Sequence, residues 1–104
     1  MKVFNTYLYE VSKGAKPVAL ITCDVFLCKK MIQRLEKQNI NFVVQKVSDD
    51  KTNLFFGAKE CIDVLKKLIS KPLSALSVEE DFVLGTILGY DVKIQCKRFL
   101  EKCA

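Results

Sequence analysis

The chain contains no histidine and no tryptophan, and it has only four glycines and two prolines among its 104 residues. Without histidine, it lacks the commonest general base, the commonest zinc ligand and the usual partner of a serine or cysteine nucleophile. No Gly-rich phosphate loop occurs, and no apolar run approaches the roughly 18 residues of a membrane span. The first residues turn polar at once, so no signal peptide is predicted. These absences predict a cytoplasmic protein and favour a non-catalytic role.

The five cysteines include no C-x-x-C pair. In the absence of an export signal, we expect reduced thiols. Cys61, Cys96 and Cys103 occupy apolar positions of predicted helices, so we interpret them as core residues. The cysteine spacing matches no zinc-binding pattern, and we predict neither a metal nor a cofactor.

Half of the residues are apolar, which is enough for a hydrophobic core in one domain spanning residues 1–104. The formal net charge is +5. This excess of basic over acidic residues favours acidic partners, but it gives no information about the fold.

The hydrophobic pattern predicts strands that alternate with amphipathic helices. The predicted strands are residues 1–11, 18–23, 40–47 and 52–56, and the predicted helices are residues 25–38, 57–70 and 77–103. The strand at 18–23 is apolar on both faces, which is typical of an interior strand. We therefore predict an α+β fold with a small four-stranded sheet, antiparallel or mixed, covered by three to four helices.

The stretch from residue 77 to residue 103 is the longest amphipathic segment. It opens with a capping box, in which the Ser77 hydroxyl can accept from the Glu80 N–H and Glu80 can reach back. Steps of four and three define one stripe of apolar or small residues, predicted to be buried: Val78, Phe82, Gly85, Gly89, Val92, Cys96, Phe99 and Cys103.

Gly85 and Gly89 each cost a helix about 1 kcal/mol relative to alanine, so both need a reason. One explanation is close approach of another element to a residue without a side chain. The other is a break after Gly89, with Asp91 capping a second helix. We favour the break, although the stripe keeps its phase and is also compatible with one helix.

Cys23 is the first candidate functional residue. It precedes the helix at 25–38, where backbone N–H groups and the helix dipole can lower a thiol pKa. The ordinary interpretation is a core thiol, because Cys28 lies on the inward stripe of the same helix and no histidine is present to act as a base.

Tyr90 and Asp91 are the other candidates. If the last helix breaks, both lie exposed at a turn and become the polar residues to mutate first. The ordinary roles are an N-cap for Asp91 and packing for Tyr90.

Three basic residues of the helix at 25–38 are candidates for partner binding, namely Lys30, Arg34 and Lys37. Nucleic-acid binding would require aromatic side chains on the same exposed face, and most aromatics fall in predicted strands or core rows. Two acidic clusters, at residues 49–50 and 79–81, lie in a turn and in a first helical turn, where carboxylates are ordinary.

Several motifs together resemble a family of small bacterial proteins that is catalogued as a domain of unknown function. The residues that carry the resemblance are Tyr9-Glu10, Lys13-Gly14, 17–22, Phe55-Phe56-Gly57 with Cys61, 80–91 and Gln95-Cys96. The resemblance implies a cytoplasmic α+β protein, often encoded near a flavodoxin. It carries over no catalytic residue, because the family has no established activity.

We therefore expect a non-catalytic interaction or regulatory domain that docks an acidic protein, with a flavodoxin-like electron carrier as the candidate. The alternative is a small-molecule-binding domain with its ligand at an interface between two subunits. A thiol-dependent redox protein and a nucleic-acid binder rank behind these two. A membrane is not an expected partner, and a homodimer is compatible with the sequence.

Overall fold

The structure is a computed structural model that describes residues 1–104. It contains five α-helices and three strands: α1 (Lys2–Ser12), β1 (Val18–Asp24), α2 (Val25–Lys37), β2 (Asn41–Lys46), β3 (Lys51–Gly57), α3 (Lys59–Leu68), α4 (Val78–Ile87) and α5 (Val92–Cys103). A 3₁₀ turn at Leu73–Ala75 lies between α3 and α4. The α+β class is confirmed. None of the helices is long and apolar enough to cross a membrane.

The sheet has three strands in the order β1-β3-β2, and both pairings are antiparallel. The predicted strands at 40–47 and 52–56 are confirmed as β2 and β3, which form a hairpin, and the mixed sheet is excluded. The prediction that 18–23 is an interior strand is wrong, because β1 lies at an edge and β3 occupies the centre. β1 lacks polar alternation because helices cover both faces of the sheet, so burial on both faces does not identify a central strand.

The predicted strand at residues 1–11 is wrong, and the four-stranded sheet with it, because this segment forms α1. Its β-branched and aromatic composition favours a strand locally. Phe4 and Leu8, however, are four residues apart and lie on one side of a helix, where both are buried. The Phe4 ring packs on that of Phe56 in β3, with ring centroids 5.4 Å apart. Tertiary burial therefore overrides local propensity in this segment.

Two apolar clusters lie on opposite faces of the sheet. On one face, α1 and α2 pack against β1 and β3, and the cluster contains Phe4, Leu8, Ala19, Cys23, Cys28, Met31, Leu35, Leu54 and Phe56. On the other face, α3 and α4 pack against the sheet, and the cluster contains Val18, Phe55, Ile62, Leu65, Ile69, Leu84 and Leu88. Successive side chains of β3 thus point to opposite faces of the sheet, as in any pleated strand.

The break in the C-terminal segment is confirmed. The capping box of Ser77 and Glu80 starts α4, and Gly89 adopts a left-handed conformation with φ of 78° after the helix ends. The Asp91 carboxylate then accepts a hydrogen bond from the Ile94 N–H at 3.0 Å and starts α5. The chain reverses, and α5 packs back along α4.

Close approach explains the other glycine. Gly85 is buried against Gln95 of α5, and a Cβ at position 85 would overlap the Gln95 amide. The rings of Phe82 and Phe99 also meet edge to face, 5.5 Å apart. Each of the two explanations for the glycines therefore holds for one of them.

In the C-terminal part of the predicted stripe, burial is wrong for Val92, Cys96 and Cys103, which are exposed. The only substantial packing of α5 is on α4. Phe99 is half-buried there, and the residue of α5 that is fully buried is the polar Gln95. The apolar stripe faces mostly outward because the helix hairpin directs a neighbouring side of α5 inward.

Candidate functional site

The structure places Cys23 and Cys28 together in the core beneath α2, and both thiols are buried. Burial raises the pKa of the Cys23 thiol above its ordinary value, and the adjacent Cys28 thiol raises it further. This direction is the opposite of the lowered pKa that activation at a helix N-terminus would give. The first turn of α2 is already capped by the Asp24 carboxylate, which accepts from the Leu27 N–H at 2.8 Å.

Tyr90 and Asp91 both lie exposed at the turn between α4 and α5. Asp91 is the N-cap of α5, which is the ordinary role considered for it. No group of three or more His, Cys, Asp or Glu side chains is arranged so that it could hold a metal ion. The five cysteines, Tyr90 and Asp91 therefore do not converge on one site.

Lys30, Arg34 and Lys37 all lie on α2, but they do not have equal roles. Arg34 is half-buried; its guanidinium donates to the Asn5 amide oxygen and lies over the Phe4 ring, 5.2 Å from the centroid. It therefore joins α2 to α1. Lys30 and Lys37 are exposed and make no ion pair.

Phe26 is the residue on this surface that the sequence reasoning missed. Its side chain is 78% exposed, the highest value among the large apolar residues. The Lys29 ammonium lies 5.9 Å from the centroid of its ring, at the limit of a cation–π contact. A signal was available in the sequence, because Phe26 is out of phase with the inward stripe of Cys28, Met31 and Leu35. We call the outer side of α2, formed by Phe26, Lys29, Lys30 and Lys37, the α2 face.

A row of polar side chains crosses the opposite side of the sheet. Thr22 donates to Asn53 at 2.6 Å, and Asn53 donates to Gln45 at 2.9 Å. Gln45 in turn donates to the carbonyl oxygens of Ile69 and Lys71, at 3.1 and 2.9 Å. The three side chains share one register across β1, β3 and β2. The row therefore fastens the segment after α3 to the sheet.

This polar row also forms the floor of a cavity of about 410 Å³, which is closed on one side by Pro72, Leu73 and Ser74. Sequence reasoning missed it, because the three polar residues lie on separate strands and only the pairing aligns them. A larger and more open cavity of about 520 Å³ lies at the end of the sheet, beside Lys16, Gly57 and Lys59. The N-terminus of α3 at this second cavity has no side-chain cap.

The geometry thus defines a small α+β protein that has helices on both faces of its sheet and exposed lysines along α2. Residues 2–102 match the sequence model of one protein family, which is described as a protein of unknown function (DUF2023). The chain therefore belongs to this family. No curated protein matches the chain. The resemblance to a domain of unknown function is therefore confirmed.

Proposed function

We propose that this protein is a non-catalytic interaction domain that docks an acidic protein through the α2 face. The observation that carries the proposal is the segregation of charge between the two halves of the chain. Residues 1–38 carry seven of the 17 Lys and Arg side chains but only three of the 12 carboxylates, Glu10, Asp24 and Glu36. Four of the five net positive charges thus belong to residues 1–38, and α2 supplies four of the seven cations of this segment.

Ion pairing sharpens this segregation. All five ion pairs involve residues after position 38, where nine carboxylates partly neutralise ten cations. The seven cations of residues 1–38 make none. Uncompensated charge on one side of a protein steers an oppositely charged partner and orients it on approach.

The α2 face also offers apolar contact area. Phe26 protrudes beside Lys29 and Lys30, and aromatic anchors surrounded by polar side chains are typical of binding hot spots. Arg34 supports this surface from below through its contacts with Asn5 and Phe4. A flavodoxin-like electron carrier is the proposed partner, because such carriers are acidic.

The test is a binding measurement by calorimetry with an acidic flavodoxin, at low and at high salt. Lys30→Glu combined with Lys37→Glu is expected to weaken binding at low salt at least tenfold, because both cations lie on the α2 face. The matched control is Lys66→Glu with Lys67→Glu, the same change of net charge on exposed residues of α3 across the sheet. Lys67, like Lys37, lies in the last turn of its helix.

An equal loss of binding affinity in both double variants would show that net charge alone matters, and it would contradict docking on α2. Absence of binding at low salt would contradict the flavodoxin version. Binding of mixed-sequence RNA or DNA that is lost in the α2 variant would instead identify a nucleic-acid surface, with Phe26 as a stacking platform.

A second candidate function is supported by the cavity above the Thr22–Asn53–Gln45 row. Its volume falls in the range of small-molecule sites, roughly 300–1,000 Å³. Asn53 is only 6% exposed and uses one of its two amide hydrogens within the row, so a further donor is available to a polar ligand. A thermal-shift screen of metabolites against the protein and its Thr22→Val variant tests this candidate. A ligand that stabilises both equally does not bind on the row.

A further inference from the structure

The outer side of α5 carries four apolar or sulfur-containing side chains in one line. Val92 and Leu100 are 61% and 66% exposed, and Cys96 and Cys103 are exposed as well. Spacings of four, four and three residues place all four within about a quarter of the helix circumference. We call these four residues the α5 stripe.

Nothing else in the chain covers the α5 stripe. The packing of α5 on α4 uses a neighbouring side of the helix, where Gln95 meets Gly85 and Phe99 meets Phe82. Continuous exposed apolar surface that is rimmed by polar residues marks interaction sites. Scattered single apolar residues would carry no such meaning.

The two borders of the stripe differ in charge. On the border next to α4, Arg98 and Lys102 are both paired with the Asp81 carboxylate, at 3.0 and 3.1 Å. On the free border, Lys93 and Lys97 are one helical turn apart, and neither makes an ion pair. Glu101 follows Lys97 by one further turn, so the free positive charge of this border lies along its N-terminal half.

The geometry points to the α5 stripe as a docking site for an amphipathic helix of another protein, with carboxylates along the edge that faces Lys93 and Lys97. A helix laid on the stripe buries its apolar side against Val92 and Leu100, as in helix-in-groove recognition. Glutamate or aspartate along its border then pairs with the two free ammonium groups.

A second copy of this chain fits the stripe less well. In an antiparallel pair of α5 helices related by a two-fold axis at the middle of the stripe, equivalent borders meet, and Lys97 of one copy faces Lys97 of the other. Like charges at such positions are destabilising. A parallel pair would bring the free border against the border that α4 occupies.

An anionic membrane is also a poorer match. The side chains that protrude from the stripe are one valine, one leucine and two cysteines, without the exposed aromatic residues that favour an interface. Asp81 already neutralises two of the four cations nearby, which weakens attraction to anionic lipid.

The α5 stripe and the α2 face lie on opposite sides of the sheet, because α4 and α2 pack on opposite faces. The two surfaces therefore share no residue. The proposal for the α5 stripe does not depend on the proposal for the α2 face, so an experiment can contradict one and leave the other standing.

The experiment uses two synthetic amphipathic peptides with the same leucine side, one bordered by glutamate and the other by lysine. Fluorescence anisotropy with the intact protein is expected to show at least tenfold tighter binding of the glutamate peptide. Val92→Ser with Leu100→Ser should abolish binding, whereas Val64→Ser, at another exposed valine on α3, should not. Lys93→Glu with Lys97→Glu should reverse the preference between the peptides, and Lys30→Glu with Lys37→Glu should leave it unchanged.

Equal affinity for the two peptides, no binding of either, or indifference to Val92→Ser with Leu100→Ser overturns the proposal. Sedimentation that shows a dimer dissolved by the same double variant assigns the stripe to a second copy and also overturns it. If the protein floats with phosphatidylserine vesicles and the double variant does not, the stripe binds a membrane, and the proposal is overturned.

Discussion

At the residue scale, burial determines what each thiol can do. Cys23 and Cys28 lie in the core beneath α2, and burial raises the pKa of Cys23, so the protonated thiol is favoured at neutral pH. Cys96 and Cys103 project into solvent from α5, and Cys61 is half-buried. Burial of Cys23 therefore opposes the activation that a helix N-terminus could give its thiol.

We expect a thiol reagent such as dithionitrobenzoate to modify Cys96 and Cys103 rapidly in native buffer. Cys61 should react more slowly, and Cys23 and Cys28 only after denaturant is added. The measurement is the time course of absorbance in the protein and in a Cys96→Ser, Cys103→Ser control, which should lose the rapid phase. A rapid phase that persists in the control and maps to Cys23 would show an activated thiol and would revive the redox hypothesis.

At the scale of elements, one carboxylate makes both ion pairs between α4 and α5. Asp81 pairs with both Arg98 and Lys102, and hydrogen bonding to the Arg98 guanidinium holds the pKa of Asp81 below its ordinary value. The neighbouring Glu80 pairs with Lys71 at 2.6 Å and closes the capping box; its pKa is also lowered, chiefly by the hydrogen bond with Lys71. The ion pairs of Asp81 thus join α5 to α4 beside the contact between the Phe82 and Phe99 rings.

The lowered pKa of Asp81 gives the hairpin a defined pH dependence. A carboxylate whose pKa is depressed in the folded state contributes stability above its unfolded pKa, about 3.9, and loses it as the pH falls through the folded value. The free energy of unfolding of the protein should therefore exceed that of Asp81→Asn at pH 7 and at pH 5.

This difference should shrink below about pH 4, where the carboxylate of the unfolded chain becomes protonated. Urea unfolding at pH 7, 5 and 3 measures it. Glu79→Gln, at a neighbour that makes no ion pair, is the control. A difference between the protein and Asp81→Asn that stays constant down to pH 3 would show that the ion pairs do not contribute.

At the scale of the whole molecule, a sheet of only three strands supports two apolar clusters, because helices cover both of its faces. α1 is essential to this arrangement, since Phe4 and Leu8 complete the cluster that Cys28, Met31 and Leu35 begin from α2. The surface charge is also divided unevenly, because residues 1–38 carry four of the five net positive charges.

Phe4→Ala should therefore destabilise the whole protein, by about 3–5 kcal/mol as for other buried phenylalanines. That is a large fraction of the 5–15 kcal/mol typical of a domain. Val3→Ala is the matched control, because Val3 is 59% exposed and Phe4 only 1% exposed. Equal shifts in the urea midpoint for the two variants would contradict helical packing of α1 on the sheet.

Several features were predictable because they depend on residues close together in the chain. The capping box at Ser77, the Asp91 cap and the break at Gly89 each rest on hydrogen bonds or conformational freedom within a few residues. The inward stripe of α2 was predictable for a related reason, since a period of about 3.6 residues brings Cys28, Met31 and Leu35 to one side of a helix.

Other features were not predictable, because they depend on contacts between distant segments. Residues 1–11 have strand-like composition, and only the available surface on the sheet makes them a helix. The stripe from Val78 to Cys103 has the right period for burial, but the partner of α5 turned out to be α4 through Gln95, which left Val92, Cys96 and Cys103 in solvent. The candidate cavity needs Thr22, Gln45 and Asn53 in one register, which the pattern of each strand alone does not reveal.

The sequence by itself determined the α+β class, the absence of histidine chemistry, the basic balance, and the points where the C-terminal helices begin. Tertiary structure alone decided the central position of β3, the helical state of residues 1–11, and which side of α2 and of α5 faces water. The physical reason is that hydrogen-bonded caps and turns are satisfied locally, whereas burial depends on which surfaces the assembled fold leaves uncovered.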